Sequence, residues 1–425
     1  MTRDVRTVGK AGTLTGVVSI PADKSIAHRT ALFSALARGT SRIVNYPQSE
    51  DPQSTLACLQ ALGVRMDTED EALVVHGGVL SAPEAPLNCG NSGTTMRLMA
   101  GILAGQPFAS TLTGDASLSA RPMGRVVDPL RAMGGQVHAL DGHAPLSIRV
   151  SNGLRGMEYR LPVASAQVKS CVLLAGMFAD GETTVIETTP TRDHTERMLG
   201  LPTIEFGTER RIVVEGGFRP DPRVWSVPGD FSAAAFFLVA GSIVPDSALK
   251  IPGVGLNPSR TALLDILRAM GADITVENER TVGGEHLGDL SVRAADLSGV
   301  HVSGPVIANL IDELPVLCIA CACADGLSEI RDAGELRHKE ADRIRAMTTG
   351  LQTLGVDVTE HADGWTIRGG RRLRGGTIQA HHDHRIAMAF AVAGLISEKP
   401  VLIEGASVAA VSFPAFWDTL DAISA

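Results

Sequence analysis

Aromatic side chains are scarce in this sequence. Two tyrosines (Tyr46 and Tyr159), three tryptophans and 11 phenylalanines make up 4% of its 425 residues. That leaves few platforms for stacking the bases of a single-stranded nucleic acid. Positive charge is not in excess either: 38 Lys and Arg against 47 Asp and Glu give a formal net charge of −9. A broad basic face for a polyanion is therefore not expected, although a basic recess within an acidic protein still attracts small anions. Apolar runs reach only about 14 residues, short of the roughly 20 that span a bilayer. The N-terminal MTRDVRTVGKAG has no apolar signal core, and a cytoplasmic enzyme with neither nucleic-acid nor membrane partners is the expectation. The six cysteines at 58, 89, 171, 318, 321 and 323 fall in apolar helical patterns, as small buried hydrophobes do. Cys318, Cys321 and Cys323 have no second pair or His partner at zinc-finger spacing.

The length exceeds one ordinary core, so two large domains are expected. What is present in abundance is self-similarity. An amphipathic helix, then glycine, then a short β-like run occurs at TLACLQALGVRM, VVDPLRAMGGQVHAL, HTERMLGLPTIEF, SRTALLDILRAMGADITV and RIRAMTTGLQTLGVDVTE. The glycines, Gly63, Gly134, Gly200, Gly271 and Gly355, are 71, 66, 71 and 84 residues apart, and glycine just past a helix turns the chain sharply. A second series of six nearly all-apolar helices interleaves with the first: KSIAHRTALFSALARG, NSGTTMRLMAGILAG, SAQVKSCVLLAGMFADG, GDFSAAAFFLVAGSIV, DELPVLCIACACADG and DHRIAMAFAVAGLIS. Helices apolar on every side belong inside a domain, and those with a polar stripe pack outside. Six α/β units of two helices and three or four strands divide into two domains of three. The Pro- and Gly-rich stretch at 216–230 is the expected crossing between them.

The buried helices begin with residues that core packing does not ask for. Lys24, Ser25, His28 and Arg29 open the first; Asn91, Gly93, Thr94 and Arg97 the second; Ser165, Gln167 and Lys169 the third; Asp383, His384 and Arg385 the last. Arg121, Arg125, Lys339, Glu340 and Arg343 lie in nearby loops. A helix start offers unsatisfied N–H groups and about half a positive charge, and cations there suit phosphates and carboxylates. The segment CGNSGTTMRL has no lysine where a Walker A loop requires one and does not fit G-x-G-x-x-G. It is thus read as an anion site for a small ligand rather than a nucleotide loop. Asp312 and Glu313 open the fifth buried helix, where a carboxylate N-cap is the common structural role. Glu340, between Lys339 and Arg343, suits either anion binding or proton exchange, and position alone leaves both open. His381, His382 and His384 form a histidine cluster without a spaced fourth metal ligand.

PADKSIAHR, NCGNSGTTMRL, ARPMGR, ASAQVKS, TRDHTERML, ELRHKEADR, HHDHRIAM and SFPAFW occur in the order and spacing of the 5-enolpyruvylshikimate-3-phosphate synthase family. The resemblance covers essentially the whole chain and is nearest the class II branch. It implies an α/β fold of two domains, each of three βαβαββ repeats, in the inverse α/β barrel-like enolpyruvyl transferase architecture. The implied domains are 21–227 and 1–20 plus 228–425, with the active site in a cleft between them.

The implied reaction moves the enolpyruvyl group of phosphoenolpyruvate to the 5-hydroxyl of shikimate 3-phosphate and releases phosphate. No cofactor and no metal are implied, and a monomer is expected. Carried onto this sequence, Lys24 touches both substrates. Gly93, Arg121, Gln167, Arg343 and Arg385 bind phosphoenolpyruvate. Ser25, Arg29, Ser165, Ala166, Gln167, Arg192, Asp312 and Lys339 bind shikimate 3-phosphate. Asp312 accepts a proton and Glu340 donates one, with Lys24 as the third catalytic residue. Gly93, lacking a Cβ, leaves room for the inhibitor analogue glyphosate.

Ala22, Val411, Glu335 and His194 depart from residues usual in the family or its other branch, namely Gly, Lys, Asn and Tyr. UDP-N-acetylglucosamine enolpyruvyl transferase, a relative with the same fold, usually has a loop cysteine, and GDASLSARP has none. A non-catalytic binding protein on this scaffold would be expected to lose Asp312, Glu340 or Arg121.

Overall fold

The structure, a computed structural model, describes residues 4–370 and 372–424. The chain divides into two compact units. One consists of Ala22–Val227 with Thr281–Glu285, the other of Met1–Pro21, Pro228–Arg280 and His286–Ala425. Residues 1–3, 371 and 425 of the expected domains lie outside the described residues.

In the first unit, the second and third repeats run strand, buried helix, strand, outer helix, then two strands. The second repeat shows the plan: Leu87–Asn88, Gly93–Ala104, Ser110–Thr113, Gly124–Ala132, Gln136–Leu140 and His143–Arg149. Leu87–Asn88 pairs parallel with Ser110–Thr113, which pairs antiparallel with His143–Arg149, and that strand pairs antiparallel with Gln136–Leu140. A parallel pair needs a crossover, and the buried helix supplies it. The third repeat repeats this order with Glu158–Arg160, Glu182–Glu187, Glu209–Glu215 and Thr203–Phe206. In the first repeat, the parallel edge strand is Val224–Ser226, from the far end of the unit, paired with Gly39–Val44. The 216–230 stretch, expected only as a crossing, therefore also carries a strand.

The second unit uses the same plan in a permuted order. Thr15–Val17 lies parallel to Ala248–Gly255, and His301–Val302 lies parallel to Leu327–Ile330. The last sheet has three strands, Val5–Val8, Val401–Glu404 and Gly376–Gln379, so the chain start completes the final repeat. Phe416–Ser424 supplies a sixth outer helix. The five repeat glycines have φ of 84, 95, 65, 104 and 83° at Gly63, Gly134, Gly200, Gly271 and Gly355, left-handed values that cost other residues energy.

Each unit has its own core, with helices of the second series inside. Phe231–Ile243 is buried at every residue except Ile243, and Leu314–Cys323 at every residue except Cys323. Truncating a buried leucine here, such as Leu317, costs about 2–5 kcal/mol through lost transfer energy and a cavity. Among the described residues no helix is long and apolar enough to cross a membrane.

Candidate active site

Burial along the three inner helices of the first unit is interrupted only at their beginnings. In Lys24–Leu36 the two residues that escape it are Lys24 and Ser25; in Gly93–Ala104, Thr94 and Arg97; in Ala166–Gly176, Ala166 and Gln167. Side-chain caps fix each start. Asp23 accepts from Ile26 N–H at 2.8 Å, Ser92 from Thr95 N–H at 3.1 Å and Ser165 from Val168 N–H at 3.4 Å. Each cap satisfies one N–H group, and the remaining N–H groups and the positive end of the dipole stay at the helix start.

Lys24 Nζ lies 2.8 Å from Asp51 Oδ2, with 21% and 12% of the two side chains exposed. Arg29, 3% exposed, donates from Nε to Thr195 Oγ1 at 2.7 Å, from Nη2 to Ser170 Oγ at 2.8 Å and from Nη1 to the Ser25 carbonyl at 2.9 Å. A guanidinium has five N–H groups, so two are left for a ligand. Burial pushes the Arg29 pKa down to about 10, partly opposed by Glu196, and Arg192 is close enough for its charge to lower it further. His28 is fully buried and bonded through Nδ1 to Thr55 Oγ1 at 2.7 Å. Burial pushes its pKa down to about 3, so the imidazole is neutral at ordinary pH.

Gly93 sits among guanidinium groups. A Cβ placed there would lie 2.7 Å from Arg97 Nη1 and 3.4 Å from Arg121 Nη1. Arg97 Nη1 donates to Gln167 Oε1 at 2.7 Å, and Gln167 Nε2 donates to Thr94 Oγ1 at 3.0 Å. Arg121 Nη2 donates to Asn91 Oδ1 at 2.5 Å, and Asn91 Nδ2 to Asp115 Oδ2 at 2.7 Å. Gly93, Arg97, Arg121 and Gln167 thus form one group, with Ser25, Arg29 and Arg192 forming another.

Lys169, a polar residue of the third helix start, does not join either group. It is fully buried, with Nζ 2.7 Å from Glu196 Oε1 and 3.1 Å from Glu187 Oε2.

In the second unit, Arg343 organises the acidic residues. It is 1% exposed. Its Nε donates to Asp383 Oδ2 at 2.7 Å, Nη2 to Glu340 Oε2 at 2.7 Å and Nη1 to Asp312 Oδ1 at 3.4 Å. Burial alone would lower its pKa, but Asp383, Glu340 and Asp312 reverse this and hold the guanidinium charged. Arg385 Nη1 donates to the Asp312 carbonyl at 2.9 Å, and Nη2 lies 3.6 Å from Asp312 Oδ2. Lys339 is half-buried. Burial pushes its ammonium pKa below the ordinary value; Asp312 opposes the shift and Arg343 adds to it.

Glu313, the N-cap residue of Leu314–Cys323, makes no side-chain cap hydrogen bond. Glu313 is buried and accepts from Ser232 Oγ, while Asp312 faces the two arginines. Their types are those of a helix start, but Arg343 and Arg385 claim Asp312 and the Ser232 hydroxyl claims Glu313.

Four further residues depart from the family pattern. Ala22 is buried, Val411 is half-buried at the end of the 3-10 helix Ala406–Val411, and Glu335 is exposed. His194 is buried against Glu285, Nδ1 to Oε1 2.8 Å. His381 and His382 are exposed while His384 is buried, and among the described residues no group of three or more His, Cys, Asp or Glu is placed to hold a metal ion.

Sequence reasoning missed Asp51 as the partner of Lys24 and missed Ser170 and Thr195 as the supports of Arg29. Asp51 reads as a favourable acid in the first turn of Glu50–Ala61, and nothing local distinguishes its second role.

The profile of the EPSP synthase (3-phosphoshikimate 1-carboxyvinyltransferase) family matches residues 8–420. A 3-phosphoshikimate 1-carboxyvinyltransferase from Salinibacter ruber is 59% identical over 427 aligned positions, covering 99% of each chain. One from Alkalilimnicola ehrlichii is 49% identical, covering 96% of this chain and 93% of the relative. A solved EPSP synthase from Acinetobacter baumannii is 42% identical and superposes with a TM-score of 0.88 over 99% of this chain and 98% of the other. With a profile match over nearly the whole length and relatives this similar, the chain belongs to the EPSP synthase (3-phosphoshikimate 1-carboxyvinyltransferase) family.

Proposed function

We propose that this protein transfers the enolpyruvyl group of phosphoenolpyruvate to the 5-hydroxyl of shikimate 3-phosphate and releases phosphate. One observation carries the proposal: Asp312 and Glu340 share the guanidinium of Arg343, at 3.4 and 2.7 Å, with Arg385 on the other side of Asp312. Two carboxylates able to exchange protons are thereby fixed beside cations suited to a phosphate.

In the reaction, Glu340 gives its proton to the methylene carbon of phosphoenolpyruvate, and C2 gains positive character. The 5-hydroxyl oxygen bonds to C2 as its proton passes to Asp312, forming a tetrahedral intermediate. The methyl group then returns a proton, the C2–O bond to phosphate breaks, and the enol double bond reforms. Arg343, Arg385, Arg121 and the Gly93 helix start stabilise the charge on the departing phosphate.

Lys24 contacts both substrates and Gln167 lies against both. Ser25, Arg29, Ser165, Ala166, Arg192 and Lys339 hold shikimate 3-phosphate. The two remaining N–H groups of Arg29, one on each Nη, support this role, as does the charged form of Arg29 at neutral pH.

The test is phosphate release from phosphoenolpyruvate with each acceptor in turn. Release is expected with shikimate 3-phosphate and not with a UDP-linked amino sugar; the reverse dependence would replace this function with that of the related transferase.

A further inference from the structure

The direction of the Arg29 guanidinium is set by residues far from it in sequence. Its Nε and Nη2 are bonded to Thr195 Oγ1 and Ser170 Oγ, and these two hydroxyls lie 2.7 Å from each other. Thr195 therefore fixes the plane in which the remaining N–H groups point. It sits on His194–Leu199, a helix of six residues, and helices shorter than about 12–15 residues do not hold themselves.

Two buried contacts flank Thr195. Glu196 Oε1 is 2.7 Å from Lys169 Nζ, with 2% and 0% of the side chains exposed. On the other side, His194 Nδ1 is 2.8 Å from Glu285 Oε1, with 1% and 3% exposed. Glu285 is 91 residues away in sequence. It ends the tip Thr281–Glu285 of a hairpin whose strands are Asp273–Val282 and Glu285–Arg293, and the tip belongs to the unit of Ala22–Val227. The neighbouring Gly284 has φ of +86°, and a Cβ there would lie 3.0 Å from the Arg197 carbonyl of the same short helix. A buried carboxylate is costly unless it is paired, and pairing with His194 pins the helix at the residue before Thr195.

We propose that Glu285 is a positioning residue for shikimate 3-phosphate binding. Through His194 it holds the helix that carries Thr195, and Thr195 aims Arg29 at the substrate. This rests on the functional reading above. Glu285 acts on binding through Arg29, whose charged form its own carboxylate also favours.

The test uses steady-state kinetics of the full chain with each substrate varied. Glu285→Ala is expected to raise KM for shikimate 3-phosphate about tenfold, leaving kcat and the KM for phosphoenolpyruvate within about threefold. Glu285→Gln keeps an oxygen to accept from the imidazole Nδ1–H and should recover most of the loss. Thr195→Val, which keeps the shape and removes the hydroxyl, should give the same selective rise. Combining it with Glu285→Ala should add little, because both act on one contact.

Equal rises in both KM values, full additivity, or a wild-type KM in Thr195→Val would overturn the proposal; if Glu285→Ala fails to fold, Thr195→Val and Glu285→Gln decide it. Wild-type protein that releases no phosphate in response to shikimate 3-phosphate would sink the functional reading, and this inference with it. An active wild type with unchanged variants sinks only the inference.

Discussion

Replacing Gly93 by alanine separates room for a ligand from room for the fold. The backbone at Gly93 is not left-handed, so alanine is admissible, and at a helix start it gains somewhat less than the ~1 kcal/mol by which alanine exceeds glycine inside a helix. Against this, the new Cβ would stand 2.7 Å from Arg97 Nη1. The guanidinium must move, and its 2.7 Å bond to Gln167 is lost or lengthened. A hydrogen bond to a charged group contributes about 1.5–3 kcal/mol, but Arg97 is half-buried and water replaces part of it. The two effects nearly cancel, so denaturant unfolding should place the variant within about 1–2 kcal/mol of wild type.

Binding is affected differently. The methyl group occupies the space beside Arg97 and Arg121 where phosphoenolpyruvate is proposed to sit. Loss of one such contact, about 1.4–2.7 kcal/mol, corresponds to a KM for phosphoenolpyruvate raised about 10–100-fold. The KM for shikimate 3-phosphate should stay within about threefold, since Ser25 and Arg29 lie on another helix. Inhibition by glyphosate should weaken with it. A KM for phosphoenolpyruvate within about twofold of wild type in a folded Gly93→Ala protein would refute the steric reasoning.

Arg343→Met should lower stability by about 3–5 kcal/mol, because it strands the buried Asp383 without its cation; guanidinium unfolding checks this, and a loss under about 1 kcal/mol would contradict it. Lys339 carries a pKa lowered by burial, and its ammonium form is the one proposed to bind. Affinity for shikimate 3-phosphate should therefore be greatest below that lowered pKa and fall as pH rises through it, below the ordinary lysine range. In Lys339→Arg the alkaline rise in KM should move to higher pH; an unmoved profile would remove Lys339 from the site. The same depressed pKa means the folded protein sheds this proton before the unfolded chain does, so this group adds stability as pH rises through that window.

The repeats were legible because two physical signals coincide. Glycine at 63, 134, 200, 271 and 355 is demanded by a left-handed turn, and helices apolar on every side have to be interior. Strand order was less legible. Val224–Ser226 and Val5–Val8 are short strands, and nothing in three or four residues says which distant sheet they complete. The assignment of Thr281–Glu285 to the unit formed by Ala22–Val227 was likewise invisible, since a hairpin tip carries no local record of what it packs on.

At the site, cations at helix starts were readable because core packing does not account for them. The partners were not. Asp312 and Glu313 look like caps and are claimed by arginine and serine, and Asp51 looks like a helix-dipole acid and pairs with Lys24. A carboxylate's residue type names its possible roles, and only tertiary placement selects one.

The central claim is that the cations at these helix starts bind the two anionic substrates. It is tested most directly by kcat/KM for Lys24→Met, Arg121→Met and Arg385→Met, each verified as folded. The prediction is a fall of roughly 100-fold or more in each, the loss of a charge-assisted contact to a phosphate or carboxylate in the transition state. Values within about twofold of wild type for all three would contradict it.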